Sequence, residues 1–542
     1  MRGVTYGGHM AIRREALAQH ARRARPGSPR KRASWIALAA VSGMLAPLLV
    51  SASSAPGAVA APVSTGIPAQ VAAAADPLEA FYGQQLAWSR CEGGMSCAWL
   101  TVPLDYAQPA GESIRIRVSK SEATGPAEQR IGSLVVNPGG PGASGLQMPS
   151  YLSSLVSPEV RHSFDIVGFD PRGVGDSAPV TCMTGRQTTR WLQSDPAPLT
   201  LAGEQATMAQ AQALADGCLR MSGALARHVG SEETVRDIDI LRAALGDDRL
   251  NWLGFSYGTY IGSLYAQAFP ERVGRFVLDG AVDPTLSVMQ MSEGQNEGFQ
   301  LALRRWARDC ATRAACPYQG SGRAVVAGVN RLFTRLRTST LPGIYSPVRL
   351  SDAVTAVFMA LYSPDTWAWL RKALAQAERG NGKGLSTLAD AASSRSGVNK
   401  YDDNMASAFP AISCWDAPAP PGRDGLSSAA DAWAKASSSP VLARAMAWSN
   451  APCSQWFGHS SRGAVPASST TTAPIVIVGN TYDPATPYAW ARALSRQLPT
   501  STLLTYVGDG HTAFGAGSAC VDSAVNSYLV SGVPPAAGTR CR

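Results

Sequence analysis

Six short apolar runs, each stopped by turn residues, constrain this 542-residue chain more than any other feature. They are SLVVN at 133–137, FDIVGF at 164–169, LNWLGF at 250–255, RFVL at 275–278, APIVIV at 473–478 and STLLTYV at 501–507. Runs this short, apolar at consecutive positions and bounded by Gly, Pro or Asp, read as strands buried on both faces of a parallel sheet. Helical stretches at 231–245, 257–269, 488–497 and 520–529 follow several of them. Strand alternating with helix predicts an α/β class with a mostly parallel sheet. Upstream, 79–128 reads as a helix and then short strands at 98–103 and 113–119.

The rhythm breaks between 285 and 465, where Trp, Ala and Arg recur at helical spacing without a comparable strand run. This predicts a helical cap inserted over the carboxyl ends of the strands, where open α/β sheets bind ligands. The expected division is a core in two parts, 85–284 and 466–542, around a cap at 285–465. A leader occupies 61–84, and 1–60 is set apart by its charge.

The formal net charge of +9 invites a nucleic-acid reading, but its distribution opposes one. Residues 1–60 hold nine of the 48 Lys and Arg and one of the 39 Asp and Glu, so the remaining 482 residues carry about +1. The basic stretch runs into an uncharged segment at 35–50, shorter than the ~20 residues a membrane span needs. Ala58-Val59-Ala60 then supplies a small-residue cleavage site. Together these read as a secretory signal peptide cleaved near Ala60, which predicts an extracellular protein with no stable membrane insertion. All ten cysteines lie beyond it, an even count that suits disulfides in an oxidising compartment. The simplest pairing joins neighbours: 91–97, 182–218, 310–316, 414–453 and 520–541.

Gly254-Phe255-Ser256-Tyr257-Gly258 matches G-x-S-x-G, with an apolar run before it and a helical stretch after it. A serine hydroxyl needs a base to become a nucleophile. Beyond residue 60 the histidines are His162, His228, His459 and His511. Of these, His511 alone follows an apolar run in a glycine-rich turn. The acid that orients it is sought among Asp483, Asp279, Asp283 and Asp509. Asp483, just beyond the IVIV run and 28 residues before His511, is favoured, because Asp509 stands too close in sequence to turn back onto the ring. The order Ser, Asp, His is that of α/β-hydrolases. Backbone donors for an oxyanion would come from Tyr257 and from the loop Asn137-Pro138-Gly139-Gly140-Pro141-Gly142-Ala143-Ser144-Gly145. That loop lacks the G-K-[ST] ending of a phosphate loop, and H-E-x-x-H and C-x-x-C are absent, so no metal or cofactor is expected.

These segments, with Asp170-Pro171-Arg172-Gly173-Val174-Gly175-Asp176-Ser177, Val277-Leu278-Asp279-Gly280 and Asp483-Pro484-Ala485-Thr486-Pro487, resemble the secreted tripeptidyl aminopeptidases. Those are α/β-hydrolases related to prolyl iminopeptidases, with a distinctive C-terminal region. The resemblance spans about 85–542 and implies Ser256 as nucleophile, Asp483 as acid, His511 as base, and Gly140 and Tyr257 as oxyanion donors. It departs from the prolyl iminopeptidase loop in having Asn137 where His is usual.

The implied function is a secreted serine exopeptidase that releases short peptides, tripeptides by the resemblance, from free N-termini of peptides or proteins. A carboxylesterase or a prolyl iminopeptidase-like enzyme would use the same triad. A cell-envelope binding protein on an inactive scaffold fits less well with Ser256, Asp483 and His511 all present. An exopeptidase also needs a carboxylate for the substrate's amine. Glu293 and Glu297, at helical spacing, are candidates, although a solvated helix face is the simpler reading; Asp416 is another. Arg172 and Asp176 read as a structural ion-pair turn.

Overall fold

The computed structural model describes residues 77–542. The expected signal peptide and residues 61–76 of the leader lie outside the described residues. Ten strands form one sheet: β1 (Ser89–Arg90), β2 (Ser96–Pro103), β3 (Ser113–Ser121), β4 (Gly132–Asn137), β5 (Phe164–Phe169), β6 (Leu250–Phe255), β7 (Val273–Asp279), β10 (Ile475–Tyr482), β11 (Ser501–Asp509) and β12 (Arg540–Cys541). Their order is β1-β2-β3-β5-β4-β6-β7-β10-β11-β12. The six expected strands are the contiguous parallel block β5-β4-β6-β7-β10-β11. The first three strands join antiparallel at one edge.

The block's side chains split between two layers, as apolar runs with no polar face require. Leu250 and Trp252 of β6 pack on one side of the sheet, Leu253 and Phe255 on the other. Register matters more here than packing. Asn137 lies opposite Gly254, Phe255 opposite Asp279, and Val478 opposite Asp279. The carboxyl ends of β4, β6 and β7 therefore finish in one row, and β10 continues past it to Tyr482 beside β11.

Between β7 and β10 stands a body of helices, among them Val288–Ala311, Gly322–Leu336, Leu350–Leu361, Trp367–Glu378, Met405–Asp416, Arg423–Ala436 and Pro440–Trp448. It has its own apolar core, in which Leu303, Trp306 and Phe333 are fully buried. It also holds a two-stranded hairpin, β8 (Arg395–Gly397) with β9 (Lys400–Tyr401), too short to leave a periodic signal. The helix Leu201–Ser222, in the β5–β6 connection, packs onto this body: Ala211 shares a cluster with Leu426, Ala430 and Trp448.

All ten cysteines are joined in the neighbour pairing expected: 91–97, 182–218, 310–316, 414–453 and 520–541. Among the described residues, no helix is long and apolar enough to cross a membrane. The Asp170–Ser177 turn differs from expectation in its ion pair. Arg172 reaches past Asp176 to Asp237, with Nε and Nη2 at 2.7 and 2.6 Å from its two oxygens. Its other donors meet the carbonyls of Pro103, Leu104 and His228. A fully buried guanidinium has to be satisfied at every donor, and a planar fork matches a carboxylate better than the short reach to Asp176 allows.

Candidate active site

Ser256 sits between β6 and the helix Tyr257–Ala268 at φ 55° and ψ −121°. A positive φ at a non-glycine residue is strained and persists only where the surroundings enforce it. Here the Ser256 N–H donates to the carbonyl of Asp279 at 2.8 Å, and helix and strand cross so tightly that a Cβ on Gly254 would stand 2.3 Å from the Gly258 carbonyl oxygen. The turn lifts the serine above the strand ends, over a helix N-terminus that favours negative charge.

His511 follows β11, and its Nδ1 lies 2.9 and 3.0 Å from the two oxygens of Asp483, beyond β10. Asp483 also accepts the N–H groups of Ala485, Thr486 and Thr512 at 2.9, 2.8 and 3.3 Å, and the Thr486 hydroxyl at 3.1 Å. A buried carboxylate held by this many donors is fixed in position. The Thr486 oxygen is itself 3.3 Å from His511 Nδ1, a contact that spacing in the sequence does not reveal. Phe255, directly before Ser256, and His511 line one cavity of about 180 Å³ with Tyr362, Asp365 and Tyr506.

The competing acids have other partners. Asp279 accepts the N–H groups of Ala513 and Phe514, at 3.0 and 2.8 Å to one oxygen, and so holds the backbone beyond His511 rather than its ring. Burial lifts this carboxyl to about pH 7. Asp283 accepts from Thr285 and Gln497. Asp509 pairs with Arg305, whose Nη2 is 2.8 Å away and whose guanidinium lies 3.6 Å from the Tyr482 ring centre. Of the other histidines, His162 meets Gln129, His228 faces Glu233 at 3.8 Å, and His459 is exposed.

The glycine-rich loop after β4 folds against the serine turn. Gly139 has φ 88°, and a Cβ there would stand 2.4 Å from the Phe255 carbonyl oxygen, so only glycine permits the approach. Asn137 Oδ1 accepts the Gly139 N–H at 2.8 Å. Asp170 braces the loop's far end, accepting the Ser144 hydroxyl at 2.5 Å and the Gly145 N–H at 3.1 Å. Its carboxyl is pushed up to about 6 by burial. Among the described residues, the N–H groups of Gly140 and Tyr257 have no intramolecular acceptor.

The helical body touches this site at several points that no motif marks. Tyr362 accepts the His511 N–H at its carbonyl, 2.8 Å, and sets its ring edge-on to the imidazole at 5.4 Å between centres. The helix Val288–Ala311 supplies Arg305 and runs against the Asp483–Pro484 backbone at Gly298. Glu293 and Glu297, on the same helix, are exposed, and neither has a hydrogen bond or ion pair among the described residues.

Residues 439–541 match the family described as TAP-like protein. The chain is 35% identical over 487 residues to the serine protease Hip1 of Mycobacterium tuberculosis, covering 85% of this chain and 91% of that protein. It is 32% identical over 461 residues to the tripeptidyl aminopeptidase of Streptomyces lividans, covering 82% and 83%. It is also 35% identical over 509 residues to carboxylesterase B of Mycobacterium tuberculosis, covering 89% and 95%. These likenesses cover 82–89% of the chain, so the chain is a serine hydrolase and belongs to the TAP-like, tripeptidyl aminopeptidase family of α/β-hydrolases.

Proposed function

We propose that this hydrolase is a secreted exopeptidase that releases short peptides, most simply tripeptides, from free N-termini through an acyl-enzyme. Ser256 Oγ attacks the scissile carbonyl, and His511 takes its proton and then delivers it to the leaving amine. Asp483 holds the imidazole tautomer with Nδ1–H toward itself and stabilises the imidazolium that forms. The oxyanion is received by the N–H groups of Gly140 and Tyr257. Water then repeats the sequence on the ester and frees the peptide acid. The observation that carries this reading is the His511–Asp483 pair, 2.9 Å apart at the strand ends from which Ser256 also projects. Five disulfides suit the oxidising compartment that secretion implies.

The likeness to carboxylesterase B supports a second reading, in which the acyl group is an ester's and no free amine is required. Mass spectrometry of the products from one defined peptide, with its N-terminus free or acetylated, separates the two. Stepwise loss of tripeptides from the free peptide alone is the expected result. Equal cleavage of both, or turnover of acyl esters with no peptide cleavage, would sink the exopeptidase reading.

A further inference from the structure

Asp416 ends the helix Met405–Asp416, which touches both the glycine-rich loop and the residue after Ser256. Near its start, Ala408 and Phe409 pack on Gly142 of the glycine-rich loop. At its end, the Asp416 carboxylate receives the hydroxyl of Tyr257, the residue after the nucleophile. Ser231, opening the helix Ser231–Ala244, gives it an N–H at 2.7 Å and a hydroxyl at 2.8 Å. We infer that Asp416 is the carboxylate that receives the free α-ammonium of the substrate, an assignment that rests on the exopeptidase reading.

Two carboxylate oxygens offer about four acceptor sites, and three are taken, so one stays open. Among the described residues, no Lys, Arg or His pairs with Asp416. The nearby charge of Glu233 is of the same sign. Burial without a counter-charge pushes this carboxyl up to about 6. Asp170 and Asp279 also lack a cation, but they are sealed, at 1% and 0% exposure. Asp416 keeps partial access to solvent, so its counter-charge can arrive from outside. The substrate has reason to bring one. An unneutralised anion bonded to the side chain of Tyr257, whose N–H is one of the proposed oxyanion donors, opposes the negative charge that develops on the substrate, and a bound ammonium cancels it. Glu293 and Glu297 are exposed and hydrated, where an ion pair is worth little.

The test measures kcat/KM for a tripeptidyl p-nitroanilide with its N-terminus free and acetylated. It compares wild type, Asp416→Asn, Asp416→Glu and the double variant Glu293→Gln/Glu297→Gln. Asp416→Asn should lower the free-to-acetylated ratio about 10- to 100-fold, the worth of one charge-assisted hydrogen bond, chiefly through KM. Fluorophosphonate labelling of Ser256 should persist. Asp416→Glu should retain part of the preference, and the double variant should retain all of it. A preference that survives in Asp416→Asn overturns the inference. So does a loss shared equally by both substrates, which a role exerted only through Tyr257 would give. Should Asp416→Asn fail to fold, the ratio in Asp416→Glu decides by the same criterion. A wild-type enzyme that cleaves both substrates equally overturns the exopeptidase reading itself, whatever the variants do.

Discussion

In the sheet, neighbouring strands β4, β6 and β7 end together and deliver Asn137, Phe255 and Asp279 to one row, so the Ser256 turn rises from rigid elements. In the cap, helices far apart in sequence meet the same row at isolated points: Tyr362 at His511, Arg305 at Asp509, and Asp416 at Tyr257. The first arrangement holds the Ser256 turn and the His511–Asp483 pair. The second packs onto them from outside the sheet. Substitutions in the two regions should therefore fail in different ways.

The largest effects belong to the sheet. Ser256→Ala should cut kcat by roughly 10⁵- to 10⁶-fold and Asp483→Asn by roughly 10⁴-fold, each with KM little changed. Steady-state kinetics on a peptide p-nitroanilide, beside a thermal melt, read both. Wild-type turnover in Ser256→Ala would remove it from the chemistry.

The cap should answer more weakly, through binding and stability. The Cys414–Cys453 disulfide ties the helix carrying Asp416 to a segment 39 residues on. Closing a loop of this size contributes about 3–4 kcal/mol, so Cys414→Ala/Cys453→Ala should lower Tm by a few degrees and raise KM several-fold. A fall in kcat as deep as that of Asp483→Asn would break the distinction between the regions.

The smallest effect concerns Asp279, which joins the serine turn to the His511 loop. Its folded carboxyl titrates near 7, well above its ordinary value of 3.8. As pH rises from 4 to 7 the unfolded chain ionises first, so this group's contribution to stability is full at low pH and is lost as pH approaches 7. Asparagine has no such dependence. The Tm of Asp279→Asn minus that of wild type should therefore increase from pH 4.5 to 7.5, and a flat difference would contradict a buried, uncompensated carboxylate.

The same contrast decides what could be read in advance. Strands β5 and β6 end where their apolar runs end, and neighbouring cysteines pair, because contacts within a few tens of residues leave local patterns. The contact between His511 and Asp483 was legible because each follows a strand in a turn. The partner of Arg172 was not, since Asp237 lies 65 residues on in a helix with no motif of its own. Nor was the contact between Tyr257 and Asp416, 159 residues apart.

The sequence alone determined the strands, the serine turn and the chain order of Ser256, Asp483 and His511, because period, turn chemistry and spacing are local properties of a chain. Tertiary structure decided that Asp279 braces a loop while Asp483 faces the imidazole, that Arg305 neutralises Asp509, and that Asp416 keeps an uncompensated charge beside the site. Each of those outcomes depends on which distant group fills a buried donor or acceptor, and burial is a property of the assembled fold.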